Sequence, residues 1–384
     1  MPKFQRRQFM QWMAAGVGST LILPACQGGN TSSASTSGEP AASPAASGAE
    51  PFKVGFIYVG PTTDFGYNQA HELGRKYLES NLPGITTEFA ENVPETADVE
   101  RVMERMIRGG AKVIYATSFG YLDSALNVAQ RYPDITFLHC GGSKTAPNVS
   151  TYFSNIFELM YLGGIAAGKA TKSKVLGFVG AFPIPQLLAN VNAFTLGAQS
   201  VDPSIQTRVV FNLSWADPAK EAEAVNAMAD LKADVISMHV DSPVTVVKTA
   251  ASRGLKTVGY HTAELEQFNP EGWLTGGAWN WGPLYVRQVE AIRAKTFKPS
   301  IERYEVKDGY VKLAPFGSGV DKATQDQILS SQKTLNSNSL ALFKGPVISQ
   351  KGEQKVSGGQ NLTREQVETM DFLVKGVVGE LPTS

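Results

Sequence analysis

Aromatic rings and carboxyl groups follow nearly every short apolar run in the body of this sequence. The residues in these positions are Asp64, Phe65, Tyr67, Asn68, Phe119, Asp123, Phe182, Trp215, Asp241, Tyr260, Trp279 and Trp281. Converging rings suit a flat heteroaromatic molecule held by stacking, and carboxylates accept hydrogen bonds from ring N–H groups or sugar hydroxyls. Each ring taken singly fits core packing equally well, and each Asp stands where it could cap a helix.

Three other motifs give weaker evidence of a chemical function. His239 and Asp241 share one face of a strand, but the remaining histidines show no ligand spacing, so we expect no metal and no cofactor. The stretch 163–170 resembles a phosphate-binding loop, yet Ala170 stands where Ser or Thr is needed, which favours close helix packing. Cys140, at the end of an apolar run, is interpreted as a buried free thiol.

The elements that must position these side chains alternate between strand and helix. Such alternation predicts a mostly parallel sheet with helices on both faces. The pattern runs to about residue 155 and then restarts, which indicates two similar lobes. Ligands of parallel sheets bind beyond the carboxyl ends of the strands, so the rings and carboxylates are expected to meet in a cleft between the lobes.

The first fifty residues have a different composition. Lys3, Arg6 and Arg7 precede an apolar stretch that is too short to span a bilayer. The stretch fits a signal peptide of the twin-arginine, lipoprotein type over residues 1–25. The segment 23–26 resembles a bacterial lipobox, in which Cys26 becomes the lipidated residue. Residues 26–51 are then expected to form the lipid anchor and a flexible Ser-, Ala-, Gly- and Pro-rich linker.

Overall charge excludes one class of partner. The chain has 384 residues with 35 Lys and Arg against 35 Asp and Glu, a formal net charge of zero. A protein that binds a nucleic-acid polymer normally shows a basic excess. The 2 cysteines likewise exclude a disulfide-stapled scaffold.

Several stretches resemble the basic membrane protein family of ABC-transporter substrate-binding lipoproteins, which includes purine-nucleoside-binding members. The matching stretches are 53–60, Asp64-Phe-Gly-Tyr-Asn68, 153–168, 177–180 with the helix to 197, 343–346 and 374–382. The resemblance covers nearly the whole body from about residue 52. It implies an α/β type I periplasmic-binding-protein fold, with two doubly wound parallel-sheet lobes, a ligand cleft, three crossovers and a hinge.

The resemblance also implies a division of the chain. Residues 52–160 with about 261–297 would form the first lobe, and about 161–260 with about 298–345 the second. Residues 346–384 would pack across the body as a C-terminal segment.

Roles for some residues follow from the same resemblance. Phe182 matches a Phe that stacks on the base, Asp241 an Asp that holds the ribose, and Tyr67 with Asn68 a Phe-Asn pair of the first lobe. Asp123 lies near an expected base-binding Asp. No clear match exists for a Lys that closes on the ribose in some relatives, so a free purine base is as plausible as a nucleoside.

We therefore expect a lipid-anchored solute-binding protein, not an enzyme, held through Cys26 on the outer face of the cytoplasmic membrane. It would capture a purine base, a nucleoside or a similar flat heterocycle between Phe182 and first-lobe rings. As a monomer, it would deliver this ligand to an ABC permease and ATPase. Two alternatives remain open: a sensory receptor of the same fold for the same ligands, and an envelope enzyme using His239 and Asp241.

Overall fold

A computed structural model describes residues 51–382. The predicted signal peptide, the lipidation site Cys26 and nearly all of the linker lie outside the described residues. Among the described residues, no helix is both long enough and apolar enough to cross a membrane.

Strands and helices alternate along the first two thirds of the described range, as the sequence pattern predicts. In residues 51–382 the strands are β1 (Phe52–Ile57), β2 (Ile85–Ala90), β3 (Ala111–Ala116), β4 (Thr136–Cys140), β5 (Val149–Ser154), β6 (Val175–Gly180), β7 (Gln206–Phe211), β8 (Val235–His239), β9 (Lys256–His261), β10 (Trp273–Trp279), β11 (Ile301–Tyr304), β12 (Val311–Leu313), β13 (Val347–Ile348), β14 (Gln354–Val356) and β15 (Val377–Val378). The helices of the same range are α1 (Tyr67–Asn81), α2 (Asp98–Arg108), α3 (Leu122–Arg131), α4 (Phe157–Ala170), α5 (Pro185–Gln199), α6 (Pro218–Asp230), α7 (Val244–Ser252), α8 (Trp281–Arg293), α9 (Lys322–Ser337) and α10 (Arg364–Glu368).

Two mostly parallel sheets form the centres of two lobes. The first-lobe sheet has the order β11-β5-β4-β3-β1-β2, and the second-lobe sheet has the order β12-β10-β9-β8-β6-β7-β15. In both sheets the strand order reverses beside the first strand of the lobe, as in doubly wound folds. The fold class predicted from the sequence is therefore confirmed.

The two lobes are joined by three chain crossings. The chain leaves the first sheet after β5, enters it again through α8, which packs on α1, and leaves it finally between β11 and β12. This number agrees with the three crossovers that the family resemblance implies.

The position of β10 differs from the predicted division of the chain. The prediction puts 261–297 in the first lobe, but β10 pairs parallel with β9 in the second-lobe sheet. The Trp273 side chain fixes it there, packing over Gly259, where a Cβ would lie 2.2 Å from the indole. Conversely, β11 lies within the predicted second-lobe range but pairs with β5 in the first sheet.

Helix α4 contains the stretch that resembles a phosphate-binding loop. It is a continuous helix that packs against α5. A Cβ on Gly164 would lie 2.1 Å from Phe194 O, and one on Gly197 would lie 2.0 Å from Tyr161 O. The glycines thus allow close contact between two helix backbones, which confirms the interpretation as helix packing.

The C-terminal segment contacts both lobes. In the second lobe, Asn192 donates to Phe372 O at 2.9 Å and accepts from the backbone N–H of Val374 at 2.9 Å. On the first-lobe side, Arg303 of β11 pairs with Glu368 of α10 at 3.0 Å.

Candidate functional site

The carboxyl ends of the strands of both lobes enclose a cavity, here called the inner cavity. Its empty volume, which includes space open to solvent, is about 420 Å³. It is lined by Tyr67, Ser118, Phe119, Cys140, Gly141, Phe153, Ile184, Gln186, Trp215, His239, Asp241, Tyr260 and Trp279.

Six of the residues singled out in the sequence meet in this cavity. They are Tyr67, Phe119, Trp215, Asp241, Tyr260 and Trp279. Asp64, Asn68 and Phe182 line an adjoining space of about 800 Å³, the outer cavity. Trp215 and Asp241 line both cavities and therefore form the boundary between them.

Phe182 lines the outer cavity and not the inner one. Its ring packs edge-on against Trp215, with 5.1 Å between the centroids, and faces the outer cavity. Trp215 is a second-lobe ring that lines the inner cavity, as do Phe119 and Tyr67 of the first lobe.

Three further candidates line neither cavity. Asp123 is exposed and forms an ion pair with Lys144 at 3.1 Å, because it begins a surface helix. Trp281 is buried behind Trp279, on which it stacks at 4.6 Å. Phe65 packs edge-on against Phe268 at 5.3 Å.

The remaining two carboxylates of the predicted site differ in what they bind. Asp64 accepts from the backbone N–H groups of Gly66, Asn68 and Gln69 at 2.8–2.9 Å, so it caps the start of α1. Asp241 is buried, and no hydrogen bond from the described residues acts on its carboxyl group. Burial raises the pKa of Asp241 well above its usual value, and the nearby charges of Asp64, Glu95 and Glu221 raise it further. Asp241 is therefore the carboxylate available to a ligand.

Two histidines near the cavity are held in their neutral form. Burial lowers the pKa of His239 to about 3, and its ring nitrogens lie 2.9 Å from Asn190 Nδ2 and 3.3 Å from Tyr260 OH. His261 accepts from Trp279 Nε1 at 2.8 Å. Its other nitrogen therefore donates to Val240 O at 3.0 Å. With both nitrogens of His239 occupied, the geometry gives no support to an enzyme that uses His239 and Asp241.

Several lining residues were missed by the sequence analysis. Phe153 lies near the carboxyl end of β5, and a search of every strand end would have found it. Gln186 lies in the first turn of α5. Glu95 lines the outer cavity and follows β2, a strand whose end was not considered. Cys140 lies where its apolar run ends and is buried, and burial raises its pKa to about 12.

The two lobes touch across the cleft. The backbone N–H of Tyr67 donates to Asp241 O at 3.1 Å, and Gln186 Nε2 donates to Gly141 O at 3.0 Å. Gly66 approaches so closely that a Cβ there would lie 1.9 Å from Asp241 O. The structure is therefore a closed arrangement of the lobes.

The chemistry of the inner cavity favours a flat molecule that brings its own hydrogen-bond donors. Rings form most of its walls, and the described residues that line it include neither Lys nor Arg. The free carboxylate of Asp241 is an acceptor without a donor of its own. Among the described residues, no group of three or more His, Cys, Asp or Glu side chains could hold a metal ion.

Known proteins are similar to this chain along most of its length. Residues 52–341 match the Bmp family model, described as ABC transporter substrate-binding protein PnrA-like. The chain is 38% identical over 339 residues to a purine-binding protein of Brucella abortus, a match that covers 88% of this chain and 96% of that protein. It is 31% identical over 334 residues to a putative ABC transporter glucose-binding protein of Haloferax volcanii, covering 87% and 82% of the two chains.

A solved structure shares the fold. An ABC transporter system solute-binding protein of Aeropyrum pernix K1 superposes with a TM-score of 0.65 at 19% identity. The match covers 75% of this chain and 92% of that one.

Proposed function

Because the chain belongs to the Bmp family of PnrA-like ABC transporter substrate-binding proteins, we propose that its ligand is a purine nucleobase or nucleoside. The ligand would be captured in the inner cavity and delivered to the permease and ATPase of an importer. The family consists of substrate-binding proteins, so the proposed mechanism is capture and release without chemistry.

The observation that carries the purine proposal is the free, buried carboxylate of Asp241 within a cavity walled by rings. Trp215 of the second lobe and Phe119 and Tyr67 of the first lobe would stack on the two faces of the base. Asp241 would accept its N–H groups. The purine-binding protein of Brucella abortus, similar along nearly its whole length, supports the same ligand class.

Capture of the ligand is coupled to closure of the two lobes. A ligand shifts the lobes toward the closed arrangement only if it binds that arrangement better than the open one. Here the stacking rings come from opposite lobes, so both faces of the base are covered only when the lobes meet. Asp64, Asn68 and Phe182 would then close the outer side.

We further propose that the protein is exported and carried on the outer face of the cytoplasmic membrane by a lipid on Cys26. The lipobox-like residues 23–26 and the polar linker that follows support this location. A lipid at that position, followed by a tether, would hold the binding body near its permease.

The test is to identify the bound ligand directly. The purified protein is analysed by native mass spectrometry and then titrated with adenine, adenosine and glucose while its melting temperature is followed. We expect adenine or adenosine to bind and to raise the melting temperature, since a ligand that binds only the folded state stabilises it. Stabilisation by glucose alone, or by none of the three, would overturn the purine assignment.

A further inference from the structure

One carboxylate outside the inner cavity contacts both of the lobes that form it. Glu95 belongs to the first lobe, in the segment between β2 and α2. Its Oε1 accepts from Ser118 Oγ at 2.6 Å and from the backbone N–H of Gly120 at 2.7 Å. Its Oε2 accepts from Trp215 Nε1, in the second lobe, at 3.3 Å.

These contacts fix two walls of the inner cavity. Ser118 and Gly120 flank Phe119, so a single oxygen of Glu95 holds the chain on both sides of that ring. Glu95 also packs tightly on this turn, since a Cβ on Gly120 would lie 2.6 Å from Glu95 Cδ. The other oxygen accepts from the indole of Trp215, which lines the same cavity from the second lobe.

The three groups that meet Glu95 are all donors in these contacts. A carboxylate accepts at both oxygens, whereas an amide of the same shape offers one acceptor and one donor group. Gln at this position would keep its single acceptor oxygen for the two donors of the Phe119 turn and would lose the bond to the Trp215 indole.

We propose that Glu95 is a positioning residue that stabilises the closed arrangement by tying the Phe119 turn of one lobe to Trp215 of the other. It would slow release of the ligand without touching it. The effect on ligand release rests on the proposed function, whereas the effect on closure does not.

Closure is measured in the ligand-free, full-length protein by amide hydrogen exchange at single-residue resolution. The Tyr67 amide donates across the cleft to Asp241 O, whereas the neighbouring Asn68 amide donates within the first lobe to Asp64. Exchange at Tyr67 therefore reports lobe opening, and Asn68 is its internal reference.

The variants are Glu95→Gln, Trp215→Phe and both together, with Glu91→Gln as the matched control. Glu91 accepts from Thr62 N and Thr62 Oγ1 through one oxygen, within one lobe, so an amide can replace it. We expect Tyr67 exchange to rise about five- to tenfold in either single variant. The double variant should show no further rise, because both changes remove the same bond, and the control should match the wild type.

The second readout is adenine binding by stopped flow. We expect faster dissociation in Glu95→Gln with an unchanged association rate. Equal Tyr67 exchange in wild type, Glu95→Gln and Trp215→Phe would overturn the proposal. If neither adenine nor adenosine binds while exchange still rises, the purine assignment fails and the role of Glu95 in closure stands.

Discussion

The carboxylate of Asp241 has a different environment from the other two acidic groups that the sequence placed beside it. Asp64 is saturated by the start of α1, and Asp123 is exposed and paired with Lys144. Asp64, Asp123 and Asp241 all precede a helix or lie at its start in the sequence. The three residues can therefore be distinguished only in the folded structure. The search of strand ends selected all three residues but could not distinguish a carboxyl group in the cavity wall from a helix cap and a surface ion pair.

We predict that Asp241→Asn weakens purine binding by about 10- to 100-fold, the range expected for a hydrogen bond to a charged group. Isothermal titration with the purine found by mass spectrometry measures this. Because burial raises the pKa of Asp241, wild-type affinity should fall as the pH falls and the carboxylate becomes protonated. The variant should lose this dependence.

Asp123→Asn is the matched control for this experiment. Its side chain is exposed and lies outside both cavities. Equal affinity of the wild type and Asp241→Asn, or a loss in the control as large as in Asp241→Asn, would contradict the assignment of Asp241 as the ligand's acceptor.

At the scale of elements, the strands and helices from β1 to α8 alternate as the sequence pattern predicts. The spacing of their apolar residues follows from burial within one lobe. It is therefore visible in the local sequence. The partners of β10 and β11 were harder to predict because sheet membership depends on contacts between distant segments. Trp273 packs over Gly259, but nothing in the sequence around either residue indicates that the two are in contact.

Helices α4 and α5 give a direct test of backbone contact. Gly197→Ala places a methyl group 2.0 Å from Tyr161 O, so the two helices must move apart. We expect a loss of about 1–3 kcal/mol in the free energy of unfolding, measured by urea denaturation. Gly358→Ala, with no atom within 4 Å of the added Cβ, should change stability little; equal stability of Gly197→Ala and wild type would contradict the packing argument.

The start of α4 also carries a buried acid. Burial and the neighbouring charge of Glu305 raise the pKa of Glu158 to about 8, from about 4.3 in an unfolded chain. Its contribution to stability is therefore complete below about pH 4.3 and is lost as the pH rises through about 8.

Glu158→Gln should remove this loss. We expect its stability relative to wild type to increase between pH 5 and pH 8 by up to about 4 kcal/mol, at about 1.4 kcal/mol per pH unit. Urea denaturation of both proteins at pH 5, 6.5 and 8 measures the difference. Parallel pH profiles for the two proteins would show that Glu158 titrates normally.

At the scale of the whole molecule, contacts between the lobes occur on several sides of the cleft. Glu95 meets Trp215 beside the outer cavity, Gln186 meets Gly141 at the inner one, and Arg303 meets Glu368 of the C-terminal segment. The two-lobed design could be predicted from the repeated strand–helix pattern. These contacts could not, because each joins residues that are distant in the sequence.

The burial of Cys140 in the wall of the inner cavity has a consequence for the chemical durability of the protein. With its pKa raised to about 12, the thiol holds almost no thiolate while the lobes are closed, and thiolate is the form that reacts with oxidants and alkylating agents. Damage should therefore occur mainly in molecules that are open and empty. A bound purine would act as a protectant, and adenine should slow modification of Cys140 by iodoacetamide in proportion to the fraction of protein occupied.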